Sequence, residues 1–185
     1  MPTQDEKYIK AKLQHQHVSR RGLFRGLLRG GQKSLEKSDT KIIRTVPRPP
    51  GAIDEGIFAR LCDGCGQCAA ACPREVLRVE QQLPRLDLDY NHCDLCGLCN
   101  SACPTNALVA FGNEQVRKTE LQPHFSQACH NRLLGHCDLC VEDCPQQAIS
   151  IDSGNLPKLD HSRCNGCGEC QGACPARAIA LKLTI

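Results

Sequence analysis

The chain has 185 residues, and 16 of them are cysteine, against two tyrosines, four phenylalanines and no tryptophan. Ordering a chain costs conformational entropy, and so few large apolar side chains cannot offset that cost alone. The composition excludes an ordinary aromatic-lined enzyme pocket, and no run of about 18 apolar residues exists to span a membrane, so something bound by the cysteines is expected to hold the chain together.

Residues 1–50 contain no cysteine and carry a balance of +8, against −5 for the remainder, a polarity that the overall +3 hides. They are expected to form a flexible, largely disordered basic arm. Within it, Ser19-Arg20-Arg21-Gly22-Leu23-Phe24-Arg25 carries the twin arginines of an export motif. Only Leu27 and Leu28 follow before Arg29 and Gly30, which is too short an apolar stretch for an export signal. The reducing cytoplasm is then the expected compartment. Leu23 and Leu27, Phe24 and Leu28, and Arg21, Arg25 and Arg29 recur at helical spacing. Arg20, Arg21, Leu23, Phe24 and Arg25 are therefore candidate partner-binding residues, for an acidic or membrane surface. Nucleic acid is not an expected partner, because the rest of the chain is acidic and has no aromatic stacking platform.

Pro47-Arg48-Pro49-Pro50-Gly51 predicts a stiff, extended boundary at the end of the arm. Beyond it, Val76–Glu80 and Arg85–Tyr90 read as a hairpin around Gln81–Pro84. Leu108–Phe111 reads as the last strand of a first module, residues 51–113. Ala148–Asp152 and Leu156–Asp160 read as a second hairpin around Ser153–Asn155, with Ala178–Leu183 as the last strand of a second module, residues 114–185. A phrase beginning Cys-Pro recurs four times, as CPREVL, CPTNAL, CPQQAI and CPARAI, which marks internal repetition. The expected fold class is α+β, with two tandem bacterial-type two-cluster ferredoxin-like modules after the arm.

The cysteine spacing chooses between disulfides, zinc and iron–sulfur clusters. Cys62, Cys65, Cys68 and Cys72 form C-x2-C-x2-C-x3-C-P, and Cys93, Cys96, Cys99 and Cys103 repeat it, as do Cys164, Cys167, Cys170 and Cys174. Cys129, Cys137, Cys140 and Cys144 keep the pattern with the first gap widened to seven residues. Disulfide scaffolds belong to exported chains, and zinc is satisfied by two pairs and has no use for three cysteines in one loop followed by Cys-Pro. The run is the known bacterial [4Fe–4S] pattern, in which the fourth cysteine ligates the other cluster of a pair. A tight loop delivers three thiolates to three iron corners, and the fourth corner faces away. The last cysteines lie 31, 41 and 30 positions apart, so the first motif pairs with the second and the third with the fourth.

Four [4Fe–4S] ligand sets follow from that rule: Cys62/Cys65/Cys68/Cys103, Cys93/Cys96/Cys99/Cys72, Cys129/Cys137/Cys140/Cys174 and Cys164/Cys167/Cys170/Cys144. Asp63, Asp94, Asp138 and Asn165 stand inside the loops, where an Asx-turn that closes the loop is preferred over a tuning role. His92, His130 and His136 neighbour cysteines but are read as surface histidines, since every set already has four thiols. The widened loop before Cys137, with Glu142 and Asp143 nearby, is expected to leave the third cluster the most exposed. No Ser/His/Asp set, P-loop or dinucleotide fingerprint is present, so no enzyme activity is expected.

The chain resembles the NapF family, ferredoxin-type accessory proteins of the periplasmic nitrate reductase system. The residues that carry the likeness are SRRGLFRG at 19–26, Pro49-Pro50 before the first motif, the four cysteine motifs in order, and the widened Cys129-x7-Cys137. The resemblance implies a cytoplasmic iron–sulfur protein that binds the precursor of the nitrate reductase catalytic subunit, NapA, and assists its maturation, through its cluster, before export. The cysteines alone fit equally a one-electron carrier, or a wire subunit docked to a membrane-associated redox partner.

Overall fold

The computed structural model describes residues 42–111 and 117–184. The candidate arm residues Arg20, Arg21, Leu23, Phe24 and Arg25 lie outside the described residues, as do the other arm positions up to residue 41. Ile42–Ile185 cluster as one unit.

The same order of elements occurs twice. In the first half, α1 (Glu55–Leu61) leads to α2 (Gln67–Ala70), the hairpin β1 (Leu77–Glu80) and β2 (Leu83–Leu86), and α3 (Leu98–Ser101). In the second, β3 (Leu121–Phe125) leads to α4 (His130–Leu134), α5 (Leu139–Glu142), the hairpin β4 (Ile149–Ser150) and β5 (Lys158–Leu159), α6 (Glu169–Gly172) and β6 (Ile179–Leu183). All three sheets are two-stranded and antiparallel: β1 with β2, β4 with β5, and β3 with β6.

Both predicted hairpins form, with shifted and shorter strands. Gln81 and Gln82 take positive φ and make the first turn, so β2 begins at Leu83, not Arg85. The predicted strand Leu108–Phe111 is reduced to a single bridge between Ala52 and Leu108. The last strand of the second half forms, but its partner is Leu121–Phe125, a segment without clean alternation that Pro123 disguises. Pro123 is tolerated because this pair is a sheet with two edges.

Residues 42–50 belong to the folded body and not to the arm. The Pro47 carbonyl accepts from Leu86 N–H at 2.8 Å, extending the edge of β2. Pro49 is fully buried. The Arg48 guanidinium lies 5.3 Å from the Phe58 ring centroid, donates to the Pro84 carbonyl, and pairs with Glu55 at 2.6 Å. Arg44 also pairs with Glu55, and reaches Glu120 at the start of the second half. Basic residues that read as a solvated run are thus spent on one buried carboxylate. Burial pushes the Glu55 carboxyl up, but hydrogen bonds from Arg48 and Arg44 outweigh it and hold it below its ordinary range.

Two cores result. The first gathers Phe58, Val76, Leu77, Leu86, Leu88, Ala107 and Leu108, with Cys68 and with Leu121 from β3. The second contains only Ile149 and Ile179 with Cys140 and Cys170. Half of that second core is therefore sulfur.

Candidate metal centres

Each of the four loops ends in a short helix whose N-cap or first turn holds a thiol inward. Gly66, Gly97 and Gly168 sit at the N-caps of α2, α3 and α6 with φ of 74°, 81° and 90°. A Cβ at Gly168 would lie 2.9 Å from Leu88 Cδ1, so both φ and space require glycine there. One step earlier in each loop, Gly64 and Gly166 are also left-handed; the second loop uses Leu95 at φ 53° for the same turn.

The expected Asx-turns occur at Asp63 and Asn165, whose side-chain oxygens accept from Cys65 N–H and Cys167 N–H, each at 3.1 Å. Asp94 does something else: it pairs with Arg74 at 2.8 Å and with His92 at 3.1 Å. Asp138 caps α5 without a side-chain bond.

The Cys-Pro phrase has a geometric role that its sequence hides. Glu75, Asn106, Gln147 and Arg177 stand three residues after Cys72, Cys103, Cys144 and Cys174, and all four take positive φ, between 47° and 57°. A left-handed non-glycine residue costs about 1–2 kcal/mol. The turn is tightened by Glu75, Gln147 and Arg177 N–H donating to the carbonyl of their cysteine. It swings the next amide onto sulfur: Ala148 N–H donates to Cys144 Sγ and Ala178 N–H to Cys174 Sγ, each at 3.3 Å. At Cys103, burial pushes the thiol up, but the N–H groups of Leu108, Thr105 and Ala107 with the Thr105 hydroxyl bring it below its ordinary value. These are the contacts a thiolate needs.

The structure brings the sequence-predicted cysteines together in crossed groups. Cys72, Cys93, Cys96 and Cys99 line one cavity. Cys129, Cys137, Cys140 and Cys174 line a second, and Cys144, Cys164, Cys167 and Cys170 a third. In the remaining group, Cys68 feels the charges of Cys62 and Cys103, with Cys65 exposed at the rim of the same loop. Burial, followed by mutual repulsion among neighbouring thiols, pushes Cys93 and Cys140 up to about 11. Burial with repulsion from Cys93, Cys96 and Cys72 pushes Cys99 to about 12, and Cys170 is raised to about 12 by burial and its own set.

Clustered thiols, with Cys68, Cys140 and Cys170 buried among them, repel one another as anions and call for a cation to replace their protons. Among the described residues no three or more His, Cys, Asp or Glu close around one point where a single ion could sit. Each pocket is instead lined by four separate thiols, which fits a multi-atom iron–sulfur cluster with one corner per cysteine.

The widened third loop departs from expectation. Its insertion folds as α4, and the buried Asn131 Nδ2 donates to the Asp152 and Asn155 carbonyls at 2.8 and 2.9 Å, tying the loop to the β4–β5 turn. Ser153 Oγ adds a bond to the Gly135 carbonyl. Cys129 and Cys137 are consequently half-buried, and the exposed thiols of the protein are Cys65 and Cys96. Asn131, and in the first half Asn100, which donates to the Pro50 and Val109 carbonyls, were not legible as anchors. Their only signal is a polar residue inside a short apolar turn.

A 4Fe–4S dicluster domain matches the chain twice, at residues 61–107 and 135–178. The first match spans both loops of its half; Cys129 falls outside the second, because the insertion displaces it. A ferredoxin-type protein, NapF of Escherichia coli, is 30% identical over 167 residues, covering 88% of this chain and 93% of that one. The chain belongs to the ferredoxin-type iron–sulfur proteins. An uncharacterized protein of Haemophilus influenzae is 45% identical to this ferredoxin-type protein over 96% of its length and 99% of the relative's. The ferredoxin-type protein NapF of the same strain is 31% identical over 72% of this chain and 77% of its own.

Proposed function

We propose that this ferredoxin-type protein carries four [4Fe–4S] clusters, one in each crossed set, within modules of residues 51–113 and 114–185. It acts in the cytoplasm as an accessory one-electron protein and not as an enzyme. The observation that carries this reading is the crossing itself: Cys72 lines the cavity of the second loop, and Cys174 and Cys144 line the cavities of the opposite loops. A bound cluster supplies one-electron exchange at nearly fixed geometry. The chain's own residues bind it through sixteen thiols, donate N–H to Cys144 and Cys174, and exclude water with Leu77, Ile149 and Ile179.

The client is the finer question. The likeness to NapF supports the precursor of the nitrate reductase catalytic subunit, NapA, as partner, with this protein assisting insertion of its cluster before export. A second reading is a plain electron carrier for another redox enzyme, including a membrane-associated one. It is favoured by the 45% identity to a second Haemophilus influenzae protein against 31% to NapF of the same strain.

Anaerobic iron and sulfide analysis, expected at about sixteen iron per chain, tests the four clusters. Incubating protein loaded with labelled iron with cluster-free NapA precursor tests the client. Label appearing in NapA supports maturation. Electrons moving without label leaves the carrier, and absence of any complex removes NapA.

A further inference from the structure

Within each half, the two cysteine sets are linked through one helical turn. Cys68 stands in α2 and Cys72 four residues on, just past its C-cap, and they belong to the first and second sets; Cys170 in α6 and Cys174 past its C-cap do the same for the fourth and third. Between the halves no covalent ligand is shared. The link there is a backbone hydrogen bond between two cysteines: Cys93 N–H donates to the Cys167 carbonyl at 2.8 Å. Cys93 lines the second cavity and Cys167 the fourth.

The loop that carries Cys167 is braced from within its own half. Thr119 N–H donates to the Asn165 carbonyl at 2.8 Å, and the buried Thr119 hydroxyl donates to the Gly166 carbonyl at 2.7 Å while accepting from Leu121 N–H. Leu88 of the first half lies close enough to Gly168 of the second that no side chain fits between them. His92 lies between Asp94 and Glu169, 3.1 and 3.3 Å away, spanning the two loops.

We propose that the second and fourth sites form an electronic junction between the modules, through Cys93 N–H and Cys167 C=O, and that the first and third sites are its two ends. Electron tunnelling decays less steeply through bonds and short hydrogen bonds than through open space. One electron crossing this bond oxidises a cluster on one side and reduces one on the other, with no proton or third reactant. The order of sites along the protein is then first, second, fourth, third, which differs from their order in the chain. The two ends are unlike: the first has the exposed Cys65, and the third is roofed by the insertion α4. A donor and an acceptor can therefore dock at different ends of the same molecule.

The inference rests on the four-cluster reading, which the iron content of the wild-type protein tests separately. Two full-length variants isolate the junction. Replacing Cys62, Cys65, Cys129 and Cys137 with alanine leaves the second and fourth sites intact. Replacing Cys93, Cys96, Cys164 and Cys167 leaves the first and third. Each is reduced with dithionite and examined by EPR. Broadening or splitting from spin–spin interaction is expected in the first variant and not in the second. Independent sharp signals in the first variant, at about eight iron per chain, overturn the proposal while leaving the four clusters standing; so does coupling confined to the second.

Should either variant fail to hold iron, hydrogen exchange on wild-type holoprotein decides. The Cys93 amide is expected to be protected, and Thr119→Val to speed its exchange about tenfold, the worth of roughly one hydrogen bond. An unprotected Cys93 amide in the wild type, or no change in Thr119→Val, refutes the junction.

Discussion

The two modules hold the same kind of site with different amounts of protein. The first surrounds its thiols with Phe58 and seven aliphatic residues, Leu121 of β3 among them; the second has two isoleucines and two cysteines. The first closes its two ends with one bridge, Ala52 to Leu108, and the Asn100 amide. The second closes with five residue pairs between β3 and β6. At the position equivalent to Asn100, Gln171 has a buried Oε1 with no partner among the described residues. A cluster scaffold is evidently closed either by a side-chain clasp over a packed core or by a strand ladder over a core made largely of ligands.

The largest effect that tests this contrast is removal of iron. Metal-ligand bonds that form only in the native state are folding free energy. Anaerobic chelation is expected to abolish hydrogen-exchange protection across residues 121–183. Residual protection is expected in 52–58 and 76–88, where Phe58, Leu86 and Leu88 add apolar contacts to those of the thiols. Equal loss in both modules would show that the apolar core of the first contributes nothing on its own.

Phe58→Ala comes next. The ring is fully buried, and deletion of such a side chain costs about 3–5 kcal/mol. The loss is expected in the first module alone, read as faster iron release from the first site, because Cys62 caps the helix that carries Phe58. A matching loss at the third site would mean the modules do not respond separately.

The clasp itself distinguishes the halves more finely. Asn100→Ala leaves the Pro50 and Val109 carbonyls unpaired in the interior, at about 2 kcal/mol. Gln171→Leu removes a buried oxygen that bonds nothing, and is expected to be neutral or to stabilise by up to about 1 kcal/mol. Denaturation under anaerobic conditions measures both. A destabilising Gln171→Leu would reveal a partner for that oxygen.

The cysteine spacing made the loops legible. Sixteen thiols in four spaced sets predicted them, and in the structure Cys72, Cys174 and Cys144 each line a cavity with the thiols of the paired loop. What escaped the sequence is what spacing does not encode. Glu75, Asn106, Gln147 and Arg177 have nothing in common as side chains, yet share a left-handed turn because the backbone must return to sulfur. Leu121–Phe125 contains proline and histidine, so its pairing with β6 is decided by tertiary position and not by propensity. The stretch 42–50 looked like linker because its prolines and arginines usually are; Arg44 and Arg48 become structural only once Glu55 is placed between them.

That latch supplies the smallest expected effect and a pH signature that belongs to the first module. In Glu55→Gln, Arg48 keeps the Pro84 carbonyl and Arg44 keeps Glu120, and glutamine still accepts one bond. The cost is therefore about 1–2 kcal/mol, below that of an orphaned buried charge. Because the folded-state carboxyl is held below its ordinary value of 4.5, its contribution is fully present above that pH and is lost as pH falls through the folded value. Protection of residues 44–49 is thus expected to differ between wild type and Glu55→Gln at pH 7, and to converge as the carboxyl of isotopically labelled Glu55 titrates. Exchange in the second module should not respond, since its ends are joined by backbone pairs between two strands that carry no carboxylate. If residues 179–183 lose protection in step with 44–49, the Arg44–Glu120 pair transmits the latch to both modules, and the closing devices are not independent.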